Sequence, residues 1–470
     1  MQAGLTALLH DAAVLHRFSD FLEEYCKEQE RSQRYVDASG DFFKYTEDLA
    51  REIKLELRRD IERTSLFPPR IAASRTASLR RKMLTLKDYL RLLHTLIKPA
   101  ADAHTLSIPA PLINLACDQL RQIEGMGDSR IVVLLTPQLM YFQRPHTHVK
   151  QQAALVEKFV PQVLFPKKLG FIELPYSQGP SFFTNLAIYH EIGHFVYEEL
   201  PSLPSSNASF TALGLARDHA LMEFPRLRRD RQVRALAEKI LESWTQEIFC
   251  DLFALRLVGP AFSFALVEIL GMLGSLSSEA MVTFDQEHPA PACRFAEQVR
   301  LLRQDSWWDA IAHIEPEQKK LLERLAKTPR AKYKVYAGDE RGPEALMRPF
   351  LDSIIPAIRN LVRQVTPDAK SVAKRFRETR RVIEDCLEVG VVPHAKTATP
   401  LDPVSIINSA FCFYLTKLPK IVTKFEGGAA ERNVGTRSKW TGKLEDWTKK
   451  AIEDSQIRRQ FERTRRDGPL

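Results

Sequence analysis

The stretch TNLAIYHEIGHFVYEEL, running from Thr184 to Leu200, contains the pattern His-Glu-x-x-His at His190, Glu191 and His194. On an α-helix, residues four apart share a face, with Cβ atoms about 6 Å from each other. His190 and His194 can therefore each direct one imidazole nitrogen at a single ion, at about 2.0–2.1 Å if that ion is zinc. Glu191, turned about 100° around the helix, reaches a water on the ion rather than the ion itself. With 12 histidines in 470 residues, chance yields the pattern about 0.02 times in such a chain. Pro180 and Ser181 offer a helix start, and Leu186, Ile188, Phe195 and Val196 give the segment apolar positions. Gly193 is a poor helix former, by about 1 kcal/mol against alanine. It makes sense where another backbone or a substrate approaches closely. The competing reading is a surface helix carrying two solvated histidines.

A catalytic zinc takes three protein ligands and leaves its fourth position for water. The subclass that uses a further histidine needs Gly and His where this chain has Tyr197 and Leu200, and is excluded. A glutamate on a later helix is the other common solution. SWTQEIFCDLFALRLVG, Ser243 to Gly259, supplies Glu247 with Asp251 one turn on, inside a strongly apolar helix. Carboxylates there are costly to bury unless something compensates them. Ligation by Glu247, and a hydrogen bond from a ligand histidine to Asp251, would do so. Alone, Glu-x-x-x-Asp also fits a salt-bridged helix face. Glu238 and Glu242 lie close by but lack the aspartate and the apolar setting. Further on, EHPAPACRFAEQVRLL (Glu287 to Leu302) opens a short loop at His288 and places Arg294 in the first turns of a helix. Facing a metal, the two could stabilise the oxyanion of a tetrahedral intermediate or orient the substrate. A loop histidine and a solvated arginine fit the spacing nearly as well.

HEIGH, EIFCD and HPAPACR, in that order, resemble the gluzincin metallopeptidases, most closely the CAAX-prenyl-protease and stress-protease branch. By that resemblance His190, His194 and Glu247 bind one Zn2+ per chain, and Glu191 is the general base. Asp251 orients a ligand histidine, while His288 and Arg294 assist the transition state. The resemblance also implies that an edge strand beside the metal helix pairs with an extended substrate backbone. LGFIELP is the candidate, through Phe171, Ile172, Glu173 and Leu174; an ordinary core strand is the alternative. That branch is largely membrane-embedded, and here the chain departs from it. Its longest apolar run, Pro260 to Leu276, is interrupted by Glu268 and falls short of a bilayer span. It reads as a buried helix. The aminopeptidase branch is less similar, because no Gly-x-Met-Glu-Asn sequence is present.

The bulk properties agree with an enzyme and argue against several other classes. A net charge of +9 is mild for 470 residues, and basic and acidic side chains are interspersed. The densest basic runs, Pro69 to Lys82 and the tail beyond Arg458, do not alternate with aromatics as a single-strand groove would, so nucleic acid is not the expected partner. Six scattered cysteines without a Cys-x-x-Cys pair suit free thiols in a reducing, cytoplasmic compartment. The N-terminus carries His10 and Asp11 within its apolar part and does not read as a signal peptide.

Three parts are expected along the chain: a helical region over 1–104, a zincin-like metallopeptidase domain over 105–304 and a helical region over 305–470. RIVVLL and LGFIELP read as strands, the second at an edge because Pro175 cannot donate to a ladder. SLFPPRIAASRTAS, Ser65 to Ser78, reads as a loop. The fold class is α+β, predominantly helical, with a small mixed sheet beside the metal helix. The expected activity is zinc-dependent hydrolysis of a protein or peptide substrate within the chain. The rival is a binding or scaffold protein that retains a structural zinc site.

Overall fold

The computed structural model describes residues 2–32, 37–65, 69–105, 109–137, 142–144, 146–166, 168–175, 181–222, 231–312, 316–327, 334–335, 343–392, 400–427 and 434–467. The chain divides into two compact units, Met1–Ala110 with Asp128–Pro180, and Pro111–Gly127 with Ser181–Leu470.

Three long helices open the first unit: α1 (Gln2–Ser32), α2 (Asp37–Ser65) and α3 (Pro69–Thr105). Their apolar residues recur every three or four positions, so each presents one stripe, and the stripes meet in a single core that includes Leu22, Phe42, Leu49, Leu90 and Ile97. The expected loop over Ser65–Ser78 is a correction. From Pro69 onward this segment is the start of α3. Proline is tolerated in a first helical turn, where its missing N–H is unpaired in any case, and the alanines, arginines and leucine that follow are good helix formers.

After α4 (Ala110–Leu120) come β1 (Arg130–Thr136), β2 (Phe142–Arg144), α5 (His146–Glu157) and β3 (Leu169–Pro175). The strands form a mixed sheet in the order β1-β3-β2, with β1 parallel and β2 antiparallel to β3. Every residue of β3 is buried, and Phe171 meets Phe42 edge-on at 5.2 Å. The edge position expected for LGFIELP is therefore corrected. β3 is the central strand: Phe171, Ile172 and Glu173 have partners on both sides, and Leu174 pairs with Leu135. Pro175 is its last residue, where a missing donor costs little, and β2 is too short to announce itself in the sequence.

The second unit contains α4 and everything from Ser181. A 3-10 turn (Thr184–Ala187) leads into α6 (Ile188–Glu199), followed by α7 (Pro204–Met222), α8 (Arg231–Val258) and α9 (Pro260–Met272). Then come β4 (Thr283–Phe284), α10 (Pro291–Gln304), α11 (Trp307–Ala312), α12 (Pro316–Ala326) and β5 (Lys334–Val335), with β4 and β5 paired in parallel. The chain closes with α13 (Pro343–Val365), α14 (Ala369–Glu388), α15 (Pro403–Thr416), α16 (Leu418–Glu426) and α17 (Val434–Asp467). The fold is thus predominantly helical α+β. Packing does not follow the three expected parts: the sheet shares a core with the N-terminal helices, and the C-terminal helices share a unit with α6 and α8. Among the described residues, no helix is long and apolar enough to cross a membrane.

Buried polar side chains tie α8 to the C-terminal helices. Arg256 donates to Thr366 Oγ1 at 2.6 Å, to Asp305 at 2.9 Å and to the Pro367 carbonyl at 2.9 Å. Where α8 breaks into α9, Gly259 adopts φ +73°. Asn408 Nδ2 donates to the Val258 carbonyl at 2.8 Å, and its Oδ1 accepts from the Ala261 N–H at 2.9 Å. A Cβ at 259 would stand 2.9 Å from both Asn408 Nδ2 and Trp307 Cζ2. Gly259→Ala therefore combines a left-handed backbone with a steric overlap, and should destabilise the second unit by about 1–3 kcal/mol. A shift in the urea midpoint with unchanged slope is the expected readout; an unmoved midpoint would show that this junction yields freely.

Candidate metal centre

Helix α6 owes its placement to a glycine. A Cβ on Gly193 would come within 2.8 Å of the Cys250 Cα and 3.1 Å of its sulfur, so α8 crosses there closer than any side chain permits. The two helices run antiparallel, with His190 opposite Asp251, His194 opposite Glu247 and Tyr197 opposite Glu242. Aromatic packing seals the flanks, with Phe262 stacked 6.5 Å from His190 and Phe249 meeting Tyr197 at 5.2 Å.

The start of the α6 segment has no cap of its own among its side chains. Glu445, from α17, supplies one. Its Oε1 accepts from Ser181 Oγ at 2.9 Å and from the backbone N–H groups of Phe182 and Phe183 at 3.0 and 3.3 Å. A carboxylate is favourable at that end of a helix, where unpaired N–H groups carry partial positive charge. Nothing in the sequence links position 445 to position 182, because a contact at that separation leaves no periodic trace.

The four polar residues at the crossing are brought together as the spacing anticipated, with one exception in role. His190 Nδ1 lies 2.9 Å from Asp251 Oδ1. Its other nitrogen, Nε2, stands 3.3 Å from Glu247 Oε2, and His194 Nε2 stands 3.3 Å from Glu247 Oε1. Charge-assisted N–H···O bonds close to about 2.7–2.9 Å. Ligands about 2.05 Å from a tetrahedral zinc stand about 3.3–3.4 Å apart. The observed separations match the second figure. Glu247 Oε2 is moreover buried and accepts no hydrogen bond, although Arg294 Nη2 stands 3.4 Å away, a shortfall that a bound cation would make good. Two imidazoles and a carboxylate are a donor set that fits zinc.

Asp251 is in the opposite state. It is 1% exposed, and its two oxygens take donors from four groups: His190 Nδ1, Arg294 Nε and Nη2 (both 2.7 Å), and Gln298 Nε2 at 3.2 Å. An Asp251 acceptor at Nδ1 fixes the proton there and leaves the Nε2 lone pair for a metal. Arg294 was expected to face the reacting centre. It is instead buried and forked onto Asp251, with Nη2 only 3.4 Å from Glu247. The fork spends Nε and Nη2 on Asp251, so Arg294 reads as a support of that carboxylate.

Charges within the crossing hold one another in place. Burial disfavours protonated His190, but the Glu247 and Asp251 carboxylates outweigh it and hold the imidazole at about 10. Burial likewise raises Asp251, and Arg294 followed by His190 brings it down to about 2. Glu247 is kept well below its usual range, with His190 chiefly overcoming its burial.

Glu191 is buried next to the two histidines on α6. His288 sits in the loop before α10, 38% exposed, with Nδ1 3.4 Å from Asp285. The loop is anchored by Trp244, whose Nε1 donates to the Asp285 carbonyl at 2.8 Å. The Asp285 contact raises His288, burial opposes this, and Glu247 adds to the rise, so the imidazole lies within the field of the Glu247 carboxylate. Phe171, Ile172, Glu173 and Leu174 belong to the first unit, the first three paired on both sides and Leu174 paired with Leu135.

Sequence reasoning passed over three residues here. Cys250 puts its sulfur and the two histidine nitrogens within 4.8 Å of one another, a second possible donor. Gln298 and Glu445 are the others. Gln298 had a signal available, since it lies one turn beyond Arg294 on the same face of α10.

No protein-family model matches this chain, and no curated protein or solved structure matches it. Its chemistry therefore rests on its own residues. Gly193→Ala tests the crossing directly. The Cβ must push α6 off α8, so divalent-metal affinity should fall at least tenfold and stability by about 1–3 kcal/mol. Unchanged affinity by chelator competition would mean that the close approach does not set the ligand geometry.

Proposed function

We propose that this protein is a zinc-dependent peptidase of the gluzincin kind, with His190, His194 and Glu247 as its metal ligands. The observation that carries the reading is the pair of 3.3 Å separations between Glu247 and the two imidazole Nε2 atoms, together with a Glu247 Oε2 that accepts no hydrogen bond. Zinc bound there would lower the pKa of its water from 15.7 to about 7 and polarise a substrate carbonyl.

The chain's own residues divide the remaining work. Glu191 takes a proton from the attacking water and returns it to the leaving amine. Asp251 fixes the proton of His190 on Nδ1, and Arg294 holds Asp251 in turn. His288 is partly exposed and lies within the field of Glu247, and its role is to donate a hydrogen bond to the developing oxyanion. A protein or peptide is the proposed substrate, cleaved within the chain. All six cysteines are free, which fits a reducing compartment such as the cytoplasm.

Cys250 favours a second reading. If its sulfur joined the two histidines and Glu247, the ion would have four protein ligands and no open position, which describes a structural site. Low exposure supports this alternative: the His190, His194 and Glu247 side chains are 11, 16 and 11% exposed. Two features weigh against it. A structural site gives Glu191 no task, yet Glu191 is buried beside the histidines. Glu247 also stands 3.3 Å from each imidazole Nε2, one carboxylate oxygen to each.

Three variants separate the readings. Glu191→Gln should retain about one zinc per chain and lose cleavage of a peptide library by about 10²–10⁴-fold. Glu247→Ala should lose zinc affinity, whereas Cys250→Ser should keep it. Wild-type cleavage rates in Glu191→Gln would remove the mechanism, and loss of zinc from Cys250→Ser with retention in Glu247→Ala would favour the structural site.

A further inference from the structure

Asp251 can orient His190 only if something orients Asp251. Arg294 grips both carboxylate oxygens, but its Nη2 also lies 3.4 Å from Glu247 Oε2, so its fork is shared between two carboxylates. The remaining donor to Oδ2 is Gln298 Nε2 at 3.2 Å. Gln298 is 1% exposed and Ser263, on α9, is fully buried. Ser263 Oγ donates to Gln298 Oε1 at 2.7 Å.

This chain of groups has a single consistent arrangement. A carboxylate only accepts, so the Gln298 amide must turn its nitrogen toward Asp251. Its oxygen is then left facing Ser263, and the hydroxyl must be the donor there. The order Ser263, Gln298, Asp251, His190 ends at a nitrogen whose proton is fixed, with Nε2 aimed at Glu247. Three helices contribute to it besides α6: α9, α10 and α8. None of the described side chains interrupts the sequence of bonds.

We propose that Gln298, locked by Ser263, is a positioning residue for the metal ligand His190. The inference rests on the zinc reading above and deepens it. Gln298 touches neither the metal ligands nor a substrate position, and acts through Asp251 alone. A purely packing role would make Gln298 matter for stability and leave the metal affinity unmoved.

The test measures zinc affinity of the full chain by chelator competition for wild type, Gln298→Met, Ser263→Ala and the double variant. Methionine keeps the length and volume of glutamine and removes the amide. Gln298→Met should weaken zinc binding by about 10–100-fold, the usual cost of losing a partner behind the ligands, with stoichiometry still near one. Ser263→Ala should weaken it in the same direction, and the double variant should be no worse than Gln298→Met, because the two act in series. Affinity within twofold of wild type in Gln298→Met, alongside a lowered melting temperature, would overturn the proposal. Should Gln298→Met fail to fold, Ser263→Ala decides in its place, and unchanged affinity there overturns it equally. Wild-type protein that takes up no supplied zinc would overturn the metal site itself, and the positioning role along with it.

Discussion

Any β-carbon at position 193 would fall 2.8 Å from the Cys250 Cα, so α6 and α8 can cross as they do only at a glycine. That approach sets what lies on either side of it. One turn of α6 on each side of Gly193 carries His190 and Tyr197, with His194 beside it, and α8 presents Asp251, Glu247 and Glu242 in reverse order. A wider crossing would leave the histidine nitrogens out of reach of the carboxylates. The helix-propensity cost of glycine, about 1 kcal/mol, is small against the alternative of several buried charges without partners, each worth several kcal/mol.

The two α8 carboxylates sit one turn apart and are treated in opposite ways. Asp251 is saturated with donors from His190, Arg294 and Gln298. Glu247 keeps Oε2 without a hydrogen bond, although it is buried in the same helix crossing. Desolvation acts on both alike, so the difference lies in the partners that surround them. A saturated carboxylate is an anchor. One left open toward two imidazole nitrogens is available to an ion. Arg294 chiefly keeps Asp251 ionised and His190 chiefly keeps Glu247 so, and the first service uses the guanidinium that the resemblance assigned to the reacting centre.

How much of this was legible depended on the range of each interaction. His190, Glu191 and His194 are local, and helical periodicity alone places them. Glu247 and Asp251 could be found because their spacing repeats that periodicity inside an apolar helix. The strand LGFIELP was recognisable as a strand, but its place in the sheet was not. Pro175 suggested an edge, yet a proline at the last position of a strand withholds a donor that the ladder does not need there, and the three residues of β2 carry no alternation to read. Arg294 was expected to face the reacting centre and is forked onto Asp251, because a sequence shows a charge and not its partner. Glu445 was invisible, as any cap supplied from another part of the chain must be.

X-ray absorption at the zinc edge of the loaded wild-type protein tests the central claim most directly, because sulfur and light-atom ligands differ in distance. The account predicts nitrogen and oxygen neighbours only, at about 2.0–2.2 Å. A sulfur neighbour at about 2.3 Å would place Cys250 on the metal and contradict an open, catalytic site built from His190, His194 and Glu247.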